Sequence, residues 1–252
     1  MEILMTLLAE GGLPAFTISW RRLKSALKLT FTGQIGLRLR NRPIFRGSAK
    51  YWEGRYITGG NSGAGSYGDF ATFKSEVINE LVKRKCVTTV IEFGCGDGNQ
   101  LRYAVYPRYV GTDVSKSAID SCKQQYKDDK SKEFFLVRPE NKYGEHDLAL
   151  SLDVIYHLVE DHVFDAYMKS LFSASQRFVI IYSSNTYELN VQYPWPSHIR
   201  HRQFTDWISA NGPEWKLIQH IPNRYPYQRS ERGAEFGSFA DFYIFQRVGR
   251  PA

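Results

Sequence analysis

The chain has 252 residues, of which 42% are hydrophobic and 23% charged, with a net charge of +7 and three cysteines. That composition suits one α/β domain with an arm, and it excludes collagen-like, coiled-coil and intrinsically disordered chains. Cys86, Cys95 and Cys122 form no C-x-x-C pair, so a disulfide framework and a zinc finger are both disfavoured and a reducing cytoplasm is the expected compartment.

The charge sits at one end. Residues 1–50 hold nine basic and two acidic residues, whereas the other 202 residues balance at 24 of each. An enzyme acting on nucleic acid usually carries positive charge around its cleft as well, so nucleic acid is not the expected partner. No stretch approaches the roughly 20 apolar residues of a membrane span. Glu2 precedes every basic residue, and Glu10-Gly11-Gly12 and Pro14 interrupt the first apolar run, so residues 1–20 do not read as a secretory signal. From Thr17, the residues Trp20, Leu23, Leu27 and Phe31 recur at helical spacing among Arg21, Arg22, Lys24 and Lys28. This basic amphipathic arm would pack on its own body or a second subunit, or make a peripheral contact with anionic lipid.

Next comes a glycine-rich loop, Thr58 to Gly68, with five glycines in eleven residues. A helix then carries Phe70, Phe73, Val77 and Leu81 on one face. Short apolar runs predict strands at about 87–93, 108–112, 134–137, 147–152 and 177–183. Helical periods fall at about 99–106, 115–126, 160–175 and 200–210, and runs at about 215–221 and 239–247 predict a closing strand pair. Alternating strands and helices imply a doubly wound, mostly parallel sheet.

The most informative segment is Val90-Ile-Glu-Phe-Gly-Cys-Gly-Asp-Gly98, an apolar strand that runs into three glycines where a helix is due. Bare backbone at such a turn lets a nucleotide lie close. A dinucleotide site wants G-x-G-x-x-G, and the position of its third glycine is Asn99 here. Glu92 lies within the strand, where a carboxylate would repel a phosphate but suit a cationic ligand.

Those residues resemble the first motif of class I S-adenosylmethionine-dependent methyltransferases. Tyr109-Val-Gly-Thr-Asp113 ends the second strand in an acid, as that family's ribose-binding carboxylate does, and Asp147-Leu-Ala-Leu-Ser-Leu-Asp153 has the form of its fourth-strand motif. The resemblance covers about residues 87–183 and implies a Rossmann-like fold with a seven-stranded, mostly parallel sheet and helices on both faces. It implies S-adenosyl-L-methionine as cofactor, held by Glu92, Gly94, Cys95, Gly96, Gly98, Asp113, Val114, Asp153 and Tyr56. After the third strand the chain reads Val137-Arg-Pro-Glu-Asn141, where Glu140 stands in for the family's adenine contact. A bare strand–helix turn and a nicotinamide or flavin site are the rival readings of the glycines.

Methyl transfer from a sulfonium is an in-line displacement, and an oxygen acceptor of high pKa also needs a base. His157, just past strand four, is the leading base, with Asp153 orienting a histidine or touching substrate. His198, Arg200, His201 and Arg202 form a second cluster: the histidines are rival bases or an unsupported metal pair, and the arginines would suit an anionic acceptor. Tyr51, Trp52, Arg55 and Tyr67 are expected to bind substrate and, with Tyr56, belong to a candidate lid over residues 51–68, which opens the methyltransferase domain (51–252) after an arm of residues 1–50.

Together with Ser151–Asp161, Tyr182–Asn185 and His198–Arg202, these segments are similar to bacterial methyltransferases of surface-polysaccharide and glycan biosynthesis. That similarity implies O-methylation of a saccharide or glycan-linked group, free or lipid-linked, in the cytoplasm or at the inner membrane face. A base-methylating enzyme usually shows Asn/Asp-Pro-Pro-aromatic after strand four, and this chain reads Ser151-Leu-Asp-Val. The rival functions are methylation of a small metabolite or of nucleic acid, and a non-catalytic scaffold that only binds the cofactor.

Overall fold

The computed structural model describes residues 45, 47–138, 141, 143–229 and 235–249. The arm helix predicted from Thr17, and Glu140, lie outside them. Among the described residues no helix is long and apolar enough to cross a membrane.

The strands in chain order are β1 (Val90–Phe93), β2 (Tyr109–Asp113), β3 (Lys132–Leu136), β4 (His146–Leu152), β5 (Ser175–Ser183), β6 (Trp215–Ile221), β7 (Gln228–Arg229), β8 (Glu235–Phe236) and β9 (Asp241–Arg247). Seven of them form one sheet in the order β3-β2-β1-β4-β5-β9-β6, and β7 pairs with β8 apart from it. The strands β1 to β5 pair in parallel, and β9 runs antiparallel to both β5 and β6. The mostly parallel, seven-stranded α/β fold expected from the sequence is therefore present.

The helices in chain order are α1 (Ser48–Ile57), α2 (Gly68–Arg84), α3 (Lys116–Gln125), α4 (Asp161–Ser173), the single turn α5 (Leu189–Gln192) and α6 (Phe204–Asn211). Helix α1 falls where no helix is expected from the sequence. Alternation along the strands sorts side chains to two faces. Val90, Leu148, Leu150, Phe178, Ile180, Phe242 and Ile244 form one buried cluster, while Ile91, Phe93, Ala149, Val179, Ile181 and Phe245 form the other. The first is covered by α2 and α3, and the second by α4 and α6.

Two expectations need correction. The helix predicted at 99–106 is only a 3-10 turn, Gln100–Tyr103. Asn79 of α2 accepts from the Val105 N–H and donates to the Tyr103 carbonyl, taking backbone groups that helical bonds would otherwise use. Pro107 also disfavours helix at Tyr106. On α2 the buried face is rotated: Phe73 and Leu81 are buried as expected, Phe70 and Val77 only half-buried, and Ala71, Lys74, Ser75 and Ile78 complete the face.

Candidate active site

At the C-terminal ends of β1, β2 and β4 lies a cavity of about 810 Å³. Ligands bind at this edge of an open α/β sheet because the strand order reverses there. Gly94, Cys95 and Gly96 of the glycine turn line it, together with Glu92, Asp113, Val114, Asp153, His157, Trp52 and Tyr56.

Gly96 has φ +55°, a left-handed conformation that favours glycine, and a Cβ there would lie 2.2 Å from Ser62 Oγ and 2.8 Å from the Tyr56 hydroxyl. The turn is thus built for close approach from above. Gly98 does not line the cavity. A Cβ at that position would meet Cys122 Sγ at 2.9 Å and Tyr126 at 3.1 Å, so this glycine lets α3 pack against the turn.

Two buried acids face the cavity. Asp113 accepts from the Gly96 N–H (3.0 Å) and the Ser115 N–H (2.8 Å). Burial raises its pKa to about 6 despite these backbone donors. Glu92 accepts from the Tyr109 hydroxyl at 2.7 Å, and burial pushes it up to about 7. Gln100 also lines the cavity, and its buried Oε1 has no hydrogen-bond partner. At the end of β3, Asn141 reaches the cavity, with its amide donating to the Leu136 carbonyl.

The segment expected as a lid lies across this cavity and is tied down at three places. Ser48 opens α1, where its N–H and hydroxyl both donate to the Glu160 carboxylate (2.9 and 2.6 Å), an anion suitably placed at a helix N-terminus. Glu53 accepts from the hydroxyls of Ser115 and Ser117 at the start of α3 (2.5 and 2.9 Å). The glycine-rich loop is held by Asp97, which accepts from the Ser62 N–H (2.9 Å) and the Tyr67 hydroxyl (2.7 Å). Trp52 and Tyr56, one helical turn apart, line the cavity. Tyr51, Arg55 and Tyr67 do not. Tyr51 stacks on His198 at 4.1 Å, Arg55 braces the loop by donating to the Asn61 carbonyl (2.6 Å), and Tyr67 is held on Asp97.

Past β4, Asp153 takes a left-handed backbone conformation (φ +60°). It does not orient a histidine. Its carboxylate pairs with Lys74 Nζ at 2.7 Å and accepts from the Tyr156 hydroxyl at 2.8 Å. Lys74 comes from α2, is 1% exposed, and also lines the cavity. Its sequence signal was a lysine one residue from Phe73 on an apolar helix face.

His157 lies on the 3-10 turn Ile155–His157, with Nδ1 3.1 Å from the His198 carbonyl. A carbonyl only accepts, so Nδ1 carries the proton and Nε2 the lone pair. Burial lowers its pKa to about 4, so the ring is neutral at physiological pH. His198 stands behind it, with parallel rings 5.6 Å apart, outside the cavity lining.

The other members of the second cluster turn away. His201 is buried with Nδ1 2.6 Å from Ser184 Oγ and lines a different pocket. Arg202 is also buried, donating to the carbonyls of Leu158 and Val159 and to Asp161. Arg200 bonds the Val159 carbonyl and Asp161. Both arginines therefore brace the loop after His157, because its carbonyls need donors once water is excluded. Among the described residues no cluster of three or more His, Cys, Asp or Glu side chains is arranged to hold a metal ion.

Residues 91–174 match the family model described as a methyltransferase domain. Over those residues, about a third of its length, the chain carries a methyltransferase domain. Its fold neighbours among solved structures agree. The N-methyltransferase NodS from Bradyrhizobium japonicum WM9, solved with S-adenosyl-L-homocysteine, superposes with TM-score 0.59 at 11% identity, over 80% of this chain and 99% of that one. A methyltransferase from Anabaena variabilis ATCC 29413, described as S-adenosylmethionine-dependent, gives 0.59 at 16% identity, over 79% and 93%. Magnesium protoporphyrin IX methyltransferase from Synechocystis PCC 6803, with bound S-adenosyl-L-homocysteine, gives 0.52 at 16% identity, over 84% and 100%. No curated protein sequence matches the chain. At these identities the likeness establishes the fold of the methyltransferase and leaves its acceptor open.

The cofactor of this methyltransferase is S-adenosyl-L-methionine, and the cavity residues fit it. Its volume lies within the usual range for ligand sites, about 300–1,000 Å³. Two buried carboxyl groups and an unpartnered amide oxygen offer acceptors for hydroxyl and ammonium donors and suit a cationic ligand. Trp52 and Tyr56 supply aromatic faces for a sulfonium.

Proposed function

We propose that this methyltransferase methylates an oxygen of a saccharide or glycan-linked group in surface-polysaccharide assembly. The observation that carries the reading is His157. A neutral imidazole lines the donor cavity, with Nδ1–H fixed on a backbone carbonyl and Nε2 left to accept a proton. A hydroxyl acceptor requires such a group, whereas many softer nucleophiles do not. The balanced charge of residues 51–252 gives no electrostatic footprint for nucleic acid.

When bound, S-adenosylmethionine supplies a sulfonium-activated methyl group. The chain's own residues do the rest. Asp113 accepts from ribose hydroxyls, and Glu92 and Gln100 present acceptors deeper in the cavity. Trp52 and Tyr56 on the strapped helix α1 exclude water above the turn, which keeps the electrostatics strong. His157 Nε2 would take the proton of the acceptor hydroxyl as its oxygen gains the methyl group and the donor sulfur keeps the electron pair of the broken C–S bond, and the His198 carbonyl would steady the imidazolium through Nδ1–H.

Asp113→Ala should weaken S-adenosylmethionine binding about 10- to 100-fold, the worth of hydrogen bonds to a charged group. In the unaltered protein, affinity should fall as pH drops through about 6, because the raised pKa of Asp113 protonates it there. Titration calorimetry across pH reads both effects, and an unchanged affinity in the variant would remove the ribose assignment.

The acceptor class is tested with donor labelled on the methyl group, purified protein and fractionated cell extract. Label should appear in lipid-linked or soluble glycan. Label in nucleic acid or protein instead would overturn the glycan reading.

A further inference from the structure

Beside the donor cavity, the C-terminal half of the chain builds a second pocket of about 230 Å³. Its walls include Tyr156, Trp195, Tyr227, Phe236 and Phe239, with His201 among them. The rings of Tyr227 and Phe239 stack at 3.9 Å, and Trp195 lies 5.4 Å from Phe239 and 4.6 Å from His201. Trp195, Tyr227 and Phe239 are only half-buried and Phe236 is 57% exposed, so an aromatic surface faces outward. His201 is 3% exposed, and its Nε2 is buried with no hydrogen-bond partner. An unpaired buried ring nitrogen is costly to keep and calls for an explanation.

We propose that this pocket binds an uncharged sugar ring of the acceptor, stacked on Trp195 and Phe239 and hydrogen-bonded through a hydroxyl to His201 Nε2. The inference rests on the glycan reading above and deepens it. Among the described residues the lining holds no carboxylate, lysine or arginine, and burial keeps His201 neutral at physiological pH, which disfavours a ligand of fixed charge. Its volume is below that of most cofactor and drug-sized sites and suits a single ring. A sugar ring presents apolar C–H faces to aromatic rings and hydroxyls at its edge, which matches the aromatic walls and the buried His201 Nε2. Nε2 is covered in this structure, so the bond requires neighbouring side chains to shift, Trp195 at 4.6 Å among them. The pocket also adjoins the donor cavity through Tyr156. That residue's hydroxyl bonds Asp153 and its ring lies 4.6 Å from His157, and both of those residues line the cavity. A ring bound here is therefore the sugar unit neighbouring the one methylated.

The test uses the full chain with S-adenosyl-L-homocysteine and three probes, the methyl α-glycosides of glucose, galactose and mannose. Choline and a methyl glucuronide serve as charged comparisons. Saturation-transfer NMR should show transfer to the ring C–H protons of at least one neutral glycoside, with a change in tryptophan fluorescence. Phe239→Ala should weaken that binding about tenfold, the size expected for loss of a stacking partner. His201→Gln, which keeps an acceptor, should bind better than His201→Leu. Unchanged affinity for S-adenosyl-L-homocysteine shows that each variant is folded, and Phe239→Leu replaces Phe239→Ala if it is not. No transfer from any neutral glycoside, transfer from choline or the glucuronide alone, or transfer undiminished by the variants overturns the proposal. The two readings fail separately. Sugar binding here with label entering protein or nucleic acid keeps the pocket and removes glycan methylation. Label in glycan with KM unchanged by Phe239 and His201 variants does the reverse.

Discussion

His157→Ala is expected to lower kcat by about 10²–10⁴ while leaving S-adenosylmethionine affinity within a few-fold. A general base acts only as the acceptor proton leaves, so its loss falls on kcat rather than on binding. The pH profile adds a sharper readout. An ordinary histidine protonates near 6.5, but burial lowers His157 to about 4. The lone pair on Nε2 is therefore present above about pH 4 and is lost as pH falls through it. With S-adenosylmethionine saturating, so that the Asp113 step near pH 6 does not enter, kcat of the unaltered enzyme should keep the His157 contribution from neutral pH down to about 5, and an acid limb near 6.5 would point to another base. His198 provides the comparison. It stacks behind His157 but does not line the cavity, so His198→Ala should cost less and act by releasing the His157 ring. Steady-state kinetics of the two variants across pH decide the assignment, and near-normal turnover by His157→Ala would move the base role elsewhere.

Lys74→Met should destabilise the fold by about 3–5 kcal/mol, because it leaves a buried carboxylate without its cation. Lys74 is 1% exposed and the Asp153 side chain 15% exposed, so water can do little to replace the pair. The damage should reach the site as well. Asp153 Oδ2 lies where a Cβ on Gly65 would come within 2.7 Å, so a displaced carboxylate disturbs the glycine-rich loop above it. The double variant Lys74→Met with Asp153→Asn should recover much of the loss, since the uncompensated charge is gone. Urea unfolding of the three variants reads this directly. A cost below about 1 kcal/mol for Lys74→Met would mean that the pair is solvated and not part of the frame.

How much was legible in advance follows from the range of each interaction. The glycine turn, the acid at the end of β2 and the order of the strands depend on local periodicity and on short motifs, so they could be read directly. The pairing of β9 between β5 and β6 was legible in outline from the last two apolar runs. Helix α1 was missed because Gly54 and a polar, aromatic composition give it a weak amphipathic signal. Its position comes from Glu160, Ser115 and Ser117, which lie up to 112 residues away. The second cluster misled for a related reason. Two arginines and two histidines within five residues look too polar to be internal. Yet Arg202 and His201 are buried, because carbonyls of the loop after β4 and Ser184 Oγ are there to meet them.

By itself the sequence determined the class of fold and the class of cofactor, since both follow from a strand, a glycine turn and an acid at fixed spacing. Only the tertiary structure decided which polar residues face the cavity. It placed Lys74 against Asp153, turned Arg202 inward, and set His157 beside the donor site with one nitrogen committed to a carbonyl. A side chain's role is fixed by partners far along the chain and by how much water remains around it, and neither is written in local sequence.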